Sequence, residues 1–434
     1  MDLAWLSVVA LVITVITSCF ARVNPGVLAI VFAWLIASGI APWYGEAIPL
    51  KAVVAGFPAD LFLTLCGVTL LFSQARVNGT LDRVARFAVR CCQGRAAMIP
   101  WAFFVLTAAL SAFGAGSIAT TALIAPMAMA AATRARVPAM LMVLMVGHGA
   151  VAGGMSPFSL TGVVAYGQLD RLQLGGHSWL LFGHNFAVNV LVAAVGYAAF
   201  GGWRGSVTAA AGDTVGTGVA VRPPAPVPNG ASEELPWGRV HVGTLAVVSA
   251  LIVAVMGANV PVGFAAFVGA AILTLARAAD EAEAIRGIPW PVLLMVCGVT
   301  MLTALIERTG GIERIAELIA AVSTPRTVPG VLAGATGLIS VYSSTSGVVL
   351  PAFLPTIPAL VSQLGGGDPL GLACSIIIGS NLVDVSPLST IGALCIASAG
   401  AGEDRRMLFH KVLAWGLSMS LLAALFCLAV FGRS

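Results

Sequence analysis

Asp384 is the carboxylate placed where a charge is hardest to hold. It follows Ile376-Ile377-Ile378 and precedes Ser386-Pro387, inside a long apolar run. An ionisable side chain in such a run marks a functional site by default. Three roles are open to it: cation ligand, proton carrier, or cap of a half-helix starting near Ser386. Two Ser-Pro-x-Ser stretches offer matching chemistry, Ser156-Pro157-Phe158-Ser159 and Ser386-Pro387-Leu388-Ser389. Proline removes a backbone donor and breaks the helix about one turn earlier. The freed carbonyls and the hydroxyls of Ser159, Thr161, Ser389 and Thr390 are hard oxygen donors suited to a small cation. A further pair of stretches is rich in Gly, Ser and Thr. One runs from Gly114 to Thr121 and holds Gly116, Ser117 and Thr120; the other holds Ser343, Ser344 and Thr345. A helix starting at such a tip presents free N–H groups, which with nearby hydroxyls can hold an anion without Arg or Lys. His148, in Val146-Gly147-His148-Gly149, is a candidate proton relay, or a bundle residue held by hydrogen bonds.

These residues must be positioned in a membrane. Only 9% of the 434 residues are charged and 59% are apolar, too few charges to cover a water-soluble protein of this size. The composition excludes a soluble enzyme, a nucleic-acid-binding protein and a disordered chain. Apolar runs of spanning length fall near 3–21, 26–43, 58–75, 138–166, 178–202, 240–258, 260–277, 288–306, 370–398 and 408–430. Two others, 98–132 and 327–362, are too long for one helix and are interrupted by small polar residues, so each is expected to be a re-entrant hairpin. The N-terminus lacks a positive leader region, and the first run is read as a retained transmembrane helix. The eight Cys form no metal-type spacing and read as small apolar filler. No nucleotide-binding or hydrolytic motif occurs, so no cofactor is expected and the protein is not read as an enzyme.

Residues 205–237, rich in Pro, Gly, Ala and Thr, form a linker between two halves, 1–204 and 238–434. The halves repeat each other. Cys66-Gly67-Val68-Thr69 returns as Cys297-Gly298-Val299-Thr300, and the two Ser-Pro-x-Ser stretches match at an offset of 230. The tips also match, with Thr120 paired to Thr345 when Pro126 and Pro351 are aligned. Segments 80–93 and 311–323 are amphipathic and are expected to lie in the interface plane. With five crossings per half and the N-terminus outside, only six of the 22 Lys and Arg fall outside: Lys51, Arg171, Arg308, Arg314, Arg326 and Arg433. That bias satisfies the positive-inside rule, with the linker cytoplasmic. Five crossings are odd, so the halves are inverted. The expected fold is an all-α polytopic membrane protein of two inverted five-helix repeats, each with a re-entrant hairpin and a broken helix. Such repeats meeting at mid-membrane are secondary-transporter architecture.

This order of hairpin, Pro-broken helix, linker and second copy resembles the ion transporter superfamily. Within it the chain is similar to the divalent anion/sodium symporters, particularly their bacterial malonate and dicarboxylate carriers. The family's tip triplet is altered to Gly116-Ser117-Ile118 in the first copy and reads Ser343-Ser344-Thr345 in the second. Gly153-Gly154-Met155-Ser156-Pro157 stands at its first break. The resemblance implies sodium-coupled elevator transport of a small dicarboxylate such as malonate or succinate by a homodimer in a bacterial inner membrane, in contact with lipid. Gly116, Ser117, Thr120, Ser343, Ser344 and Thr345 would hold the anion. Ser156, Ser159, Asp384, Ser386 and Ser389 would hold sodium. Two alternatives remain: the large membrane subunit of a tripartite, binding-protein-dependent organic-acid transporter, and a proton-coupled anion carrier using Asp384 and His148.

Overall fold

A computed structural model describes residues 2–20, 23–84, 96–201, 237–258, 260–400 and 403–433. The linker expected at 205–237, apart from Trp237, and the amphipathic segment beyond Val84 lie outside the described residues. Among the described residues every regular element is helical, and eight helices are long and apolar enough to cross a membrane. Large apolar side chains such as Phe264, Val268 and Leu275, and Leu421 and Leu425, face outward, as lipid contact requires.

Two helices occupy the interior. All residues of Ala139–Gly154 are buried, as are Gly371 to Leu382 of Pro369–Leu382. Close packing explains the glycines on them. A Cβ on Gly149 would lie 2.2 Å from Thr107 Oγ1, and one on Gly379 would lie 2.3 Å from the Ala333 carbonyl and 2.7 Å from Thr336 Oγ1. Only glycine lets these helices approach so closely, and in lipid such contact gives dispersion energy where no hydrophobic effect operates between helices.

Each interior helix packs against the first limb of a hairpin. The first hairpin has limbs Ile99–Leu110 and Ser117–Ala135. The second has Val328–Tyr342, then a π-helical turn Thr345–Val349 that leads into Leu350–Phe353 and Ile357–Leu364. Both long interrupted stretches are split into helical limbs on either side of a central tip. Their first limbs match in detail. Thr107 bonds back to the Phe103 and Phe104 carbonyls, and Thr336 to those of Leu332 and Ala333.

Each interior helix also runs into a break and restarts as a shorter helix, Leu160–Arg171 in one half and Thr390–Ala397 in the other. The breaks share one backbone pattern. Ser159 N–H donates to the Ser156 carbonyl at 2.9 Å, and Ser389 N–H to that of Ser386 at 3.0 Å. A Cβ on Gly162 or Gly392 would sit 2.0 or 2.1 Å from the Ser156 or Ser386 carbonyl, so each restart coils directly against its own turn.

A second set of helices crosses outside this assembly. Pro25–Leu35 meets Trp290–Arg308 where a Cβ on Gly298 would lie 2.2 Å from the Gly26 carbonyl. Ala59–Val77 meets Val262–Leu275 where a Cβ on Gly67 would lie 2.5 Å from the Gly263 carbonyl. Each crossing joins one helix from each half, and the repeated Cys-Gly-Val-Thr motif supplies the glycine both times.

The segment expected to be amphipathic at 311–323 is a helix, Gly311–Ala321, with Ile312 and Ala316 buried. Arg314 pairs with Glu317 at 2.8 Å and reaches Asp2 at 3.1 Å, fastening this helix to the start of the first one.

Candidate functional site

The second tip and the second break meet at Asp384. The tip begins at Ser344, whose side chain caps the following turn by accepting from Gly347 N–H at 3.1 Å. This cap orients Thr345, which is buried and donates to Asp384 Oδ1 at 2.8 Å. Ser340, on the first limb, lies 2.5 Å from Thr345 Oγ1 and 3.3 Å from the same carboxylate oxygen. Asp384 itself is half-buried in a short 3₁₀ turn, Val383–Val385, which ends the interior helix. Ser389 donates to the Asp384 carbonyl and, at 2.8 Å, to the Ser386 carbonyl, and its oxygen also accepts from Gly392 N–H at the start of the restarted helix. Ser386 Oγ accepts from Leu388 N–H. The second half thus gathers a carboxylate, two carbonyl and two hydroxyl oxygens of the break, and a capped tip. Ser343 lies at the same tip, its buried hydroxyl without a protein partner.

The first half builds the same frame with different occupants. Gly114 and Gly116 have φ of 104° and 78°, and a Cβ on Gly114 would strike the Phe72 ring, so the tip requires glycine twice. Gly116 caps Ser117–Ala135 without any side-chain bond, leaving the first N–H groups of that helix uncapped. The buried hydroxyls of Ser111, Thr120 and Ser159 have no protein partner. Gly154 stands where Asp384 stands in the other half; a Cβ there would lie 3.5 Å from Ser117 Cβ and 3.7 Å from the Ser111 and Ser117 hydroxyls. Ser156 Oγ accepts from Phe158 N–H at 3.2 Å. The Met155 carbonyl, freed by the break, is taken by the Tyr166 hydroxyl. A cavity of about 630 Å³ adjoins this break, lined by Asp60, Thr64, Pro157, Tyr166, Asp170 and Arg171 among others.

The caps correct one alignment. Counting from Gly116 and Ser344, Thr345 corresponds to Ser117, not to Thr120 as the proline register suggested. Ten residues separate Gly116 from Pro126 but seven separate Ser344 from Pro351, so aligning the prolines displaces the tips. Three of the functional-site candidates carry no mark in the sequence: Ser340, Ser111 and Tyr166. A signal for the first two existed, since each Ser follows a back-bonded Thr by one helical turn. Among the described residues no hydrogen bond joins Ser156 or Ser159, at the first break, to Asp384, Ser386 or Ser389, at the second.

His148 is fully buried and both ring nitrogens are engaged. Trp415 Nε1–H donates to Nε2 at 3.0 Å, which leaves Nδ1 to carry the proton and donate to Asn189 Oδ1 at 3.0 Å. Asn189 continues to Asn185, and Asn185 to the Val151 carbonyl on the interior helix. The chain of bonds ends on backbone and includes no second titratable group.

A helical membrane protein whose two hairpin tips face two broken helices is a transporter, and the comparisons agree. The sequence matches the family described as dicarboxylate carrier protein MatC N-terminus over residues 1–154, and the family described as citrate transporter over 260–434. No curated protein matches the sequence. Two solved structures share its fold. One is the Alcanivorax borkumensis YdaH transporter, described as having an unusual topology, at 13% identity and a TM-score of 0.54, covering 92% of this chain and 90% of that one. The other is Neisseria gonorrhoeae MtrF, described as illuminating a class of antimetabolite efflux pumps, at 14% identity and a TM-score of 0.55, covering 96% and 97%. The family matches fall one in each half and together span most of the chain. They bear out the resemblance to the divalent anion symporters: the protein is a multi-pass secondary transporter of the dicarboxylate and citrate type, and not an enzyme.

Proposed function

We propose that the protein takes up a small dicarboxylate of the malonate or succinate type, coupled to sodium. The observation that carries this reading is the bond from the second tip to the second break, Thr345 to Asp384. It joins the segment suited to an anion to the segment suited to a cation, so occupancy of one is felt by the other. Tip N–H groups and the hydroxyls of Ser117, Thr120, Ser343, Ser344 and Thr345 hold the carboxylates. Asp384 with the Ser386 and Ser389 oxygens holds sodium in one half, and Ser156 and Ser159 supply the oxygens in the other. A bound cation also removes a repulsion, because a dianion and an unpaired aspartate would otherwise share one site.

In this reading the two hairpins and two broken helices move together as an elevator. The Gly26/Gly298 and Gly67/Gly263 crossings belong to a fixed scaffold, which also carries the homodimer contact in a bacterial inner membrane. The halves are inverted, with the linker cytoplasmic. The deciding experiment uses purified protein in liposomes with radiolabelled malonate, succinate and citrate. Accumulation of a dicarboxylate only under an inward sodium gradient supports the reading. Accumulation driven equally well by a proton gradient without sodium replaces it with proton coupling at Asp384. Labelling of Asn229→Cys in intact cells by an impermeant reagent added outside would defeat the inverted arrangement.

A further inference from the structure

The two half-sites differ in one respect that bears on coupling. In the second, the Ser340 and Thr345 hydroxyls are already turned to a carboxylate, Asp384. In the first, the corresponding hydroxyls of Ser111 and Ser117 surround Gly154, where no side chain exists. The correspondence rests on geometry: Ser111 and Ser340 each follow a back-bonded threonine by one turn, and Ser117 and Thr345 each follow the tip's cap. Ser111 is fully buried and its hydroxyl has no protein partner. The first half-site therefore has hydroxyls to offer an anion, while the second has committed its own.

We propose that Asp384 acts as an internal occupant of the second anion half-site, a latch that a cation must draw away before a carboxylate of the transported anion can bind there. This rests on the dicarboxylate reading above and adds a reason for obligatory coupling. Without a cation, an arriving carboxylate meets a carboxylate of like charge that already holds Ser340 and Thr345. When a cation binds Asp384 together with oxygens of the break, the aspartate's lone pairs turn to the cation and the hydroxyls are released to the anion. The first half-site needs no such release, because Gly154 leaves its place open. The anion then docks one carboxylate at Ser111 and Ser117 and closes on the second half-site only when the cation is present.

Substitutions separate the latch from a plain sodium ligand. Anion binding is measured on purified full-length protein with malonate, succinate and citrate, in sodium chloride and in choline chloride. Wild type is expected to gain about tenfold or more in affinity from sodium. Asp384→Ala removes both the charge and the latch, so it should bind in choline nearly as tightly as wild type does in sodium, and the gain from sodium should shrink well below the wild-type factor. Asp384→Asn keeps an oxygen for Thr345 but not the charge, so it should bind weakly in both salts. Gly154→Asp, for which the backbone leaves ordinary contact distances, installs a second latch and should lower affinity in sodium about tenfold or more. A folded Asp384→Ala protein that still needs sodium by the wild-type factor overturns the proposal. If that variant does not fold, Gly154→Asp decides alone, and wild-type affinity there overturns it. Wild type that binds none of the three acids in either salt refutes the substrate reading before any variant is compared.

Discussion

His148 gives the most direct test of how buried polar groups are used in this bundle. It sits on the interior helix Ala139–Gly154, and its ring links Asn189 on Ser178–Ala199 to Trp415 on Arg405–Phe431. His148→Leu orphans Trp415 Nε1–H and Asn189 Oδ1 together. Interhelical hydrogen bonds in membrane proteins are worth about 0.6 kcal/mol on average and about 1.7 at most, so two lost bonds cost roughly 1–3 kcal/mol. His148→Gln, whose amide offers one donor and one acceptor, should recover part of that loss. The assay is thermal unfolding of detergent-solubilised protein followed by tryptophan fluorescence, with transport measured across pH on the same samples. The expected result is a lower melting temperature for His148→Leu, an intermediate one for His148→Gln, and a pH profile of transport with wild-type shape in both. A variant with wild-type melting whose transport loses its pH dependence would refute this reasoning and restore His148 as a proton carrier.

Three further outcomes follow from particular contacts. Gly298→Val drives a side chain into the Gly26 backbone, where even a Cβ has only 2.2 Å, so the crossing must open at a cost of about 1–3 kcal/mol, visible as reduced melting temperature and lower yield of folded protein. Tyr166→Phe strips the Met155 carbonyl of its donor beside the first break; it should lower stability by about 1 kcal/mol and alter sodium affinity, measured by sodium titration of transport, because that carbonyl becomes free to bind a cation. Arg314→Gln should speed amide exchange over residues 2–8 with little change in melting, since an ion pair this exposed adds little to global stability. In wild type, the Trp5 N–H and then Arg314 hold the Asp2 carboxyl below its ordinary value of 3.8, so this tether is complete above that pH and is lost as pH falls through the lower folded value.

Much of the fold was legible because the bilayer restricts what an apolar chain can do. A run too long for one crossing cannot stay one helix, and both such runs are interrupted, at Gly-Ala-Gly-Ser and at Ser-Ser-Thr-Ser. The Ser-Pro-x-Ser pairs announced two breaks for the same reason: proline removes a donor that lipid cannot replace. Asp384 stood out because a carboxylate in an apolar run needs partners. What stayed hidden were the partners. Ser340 lies 44 residues before Asp384 and is the one serine of its helix, Val328–Tyr342, where a single hydroxyl reads as ordinary packing. The tip register stayed open because cap and proline are ten residues apart in one copy and seven in the other, and no composition signal marks the cap. Gly154 is legible from the repeat as the position that lacks the carboxylate, but only the structure shows that Ser111 and Ser117 face the gap.

Ser159 offers the cleanest test of whether the first break holds a cation at all. Most hydroxyls in this bundle are committed to backbone carbonyls, so deleting them confuses lost ligands with lost packing. Ser389 is such a case: removing it uncaps the restarted helix at Gly392 and frees the Asp384 and Ser386 carbonyls at once. Ser159 occupies the equivalent cap, yet its buried hydroxyl makes no bond to protein. Ser159→Ala therefore removes a candidate ligand without breaking a contact, and an unpaired buried hydroxyl costs rather than contributes stability. Melting temperature should stay the same or rise slightly. Transport titrated with sodium should show a weaker apparent affinity, about tenfold at most for one neutral oxygen donor. Unchanged melting with unchanged sodium affinity would remove the first break from the cation sites and leave coupling to Asp384 alone. A fall in melting temperature would instead show that the hydroxyl is bonded in the membrane, and the argument from its freedom would fail.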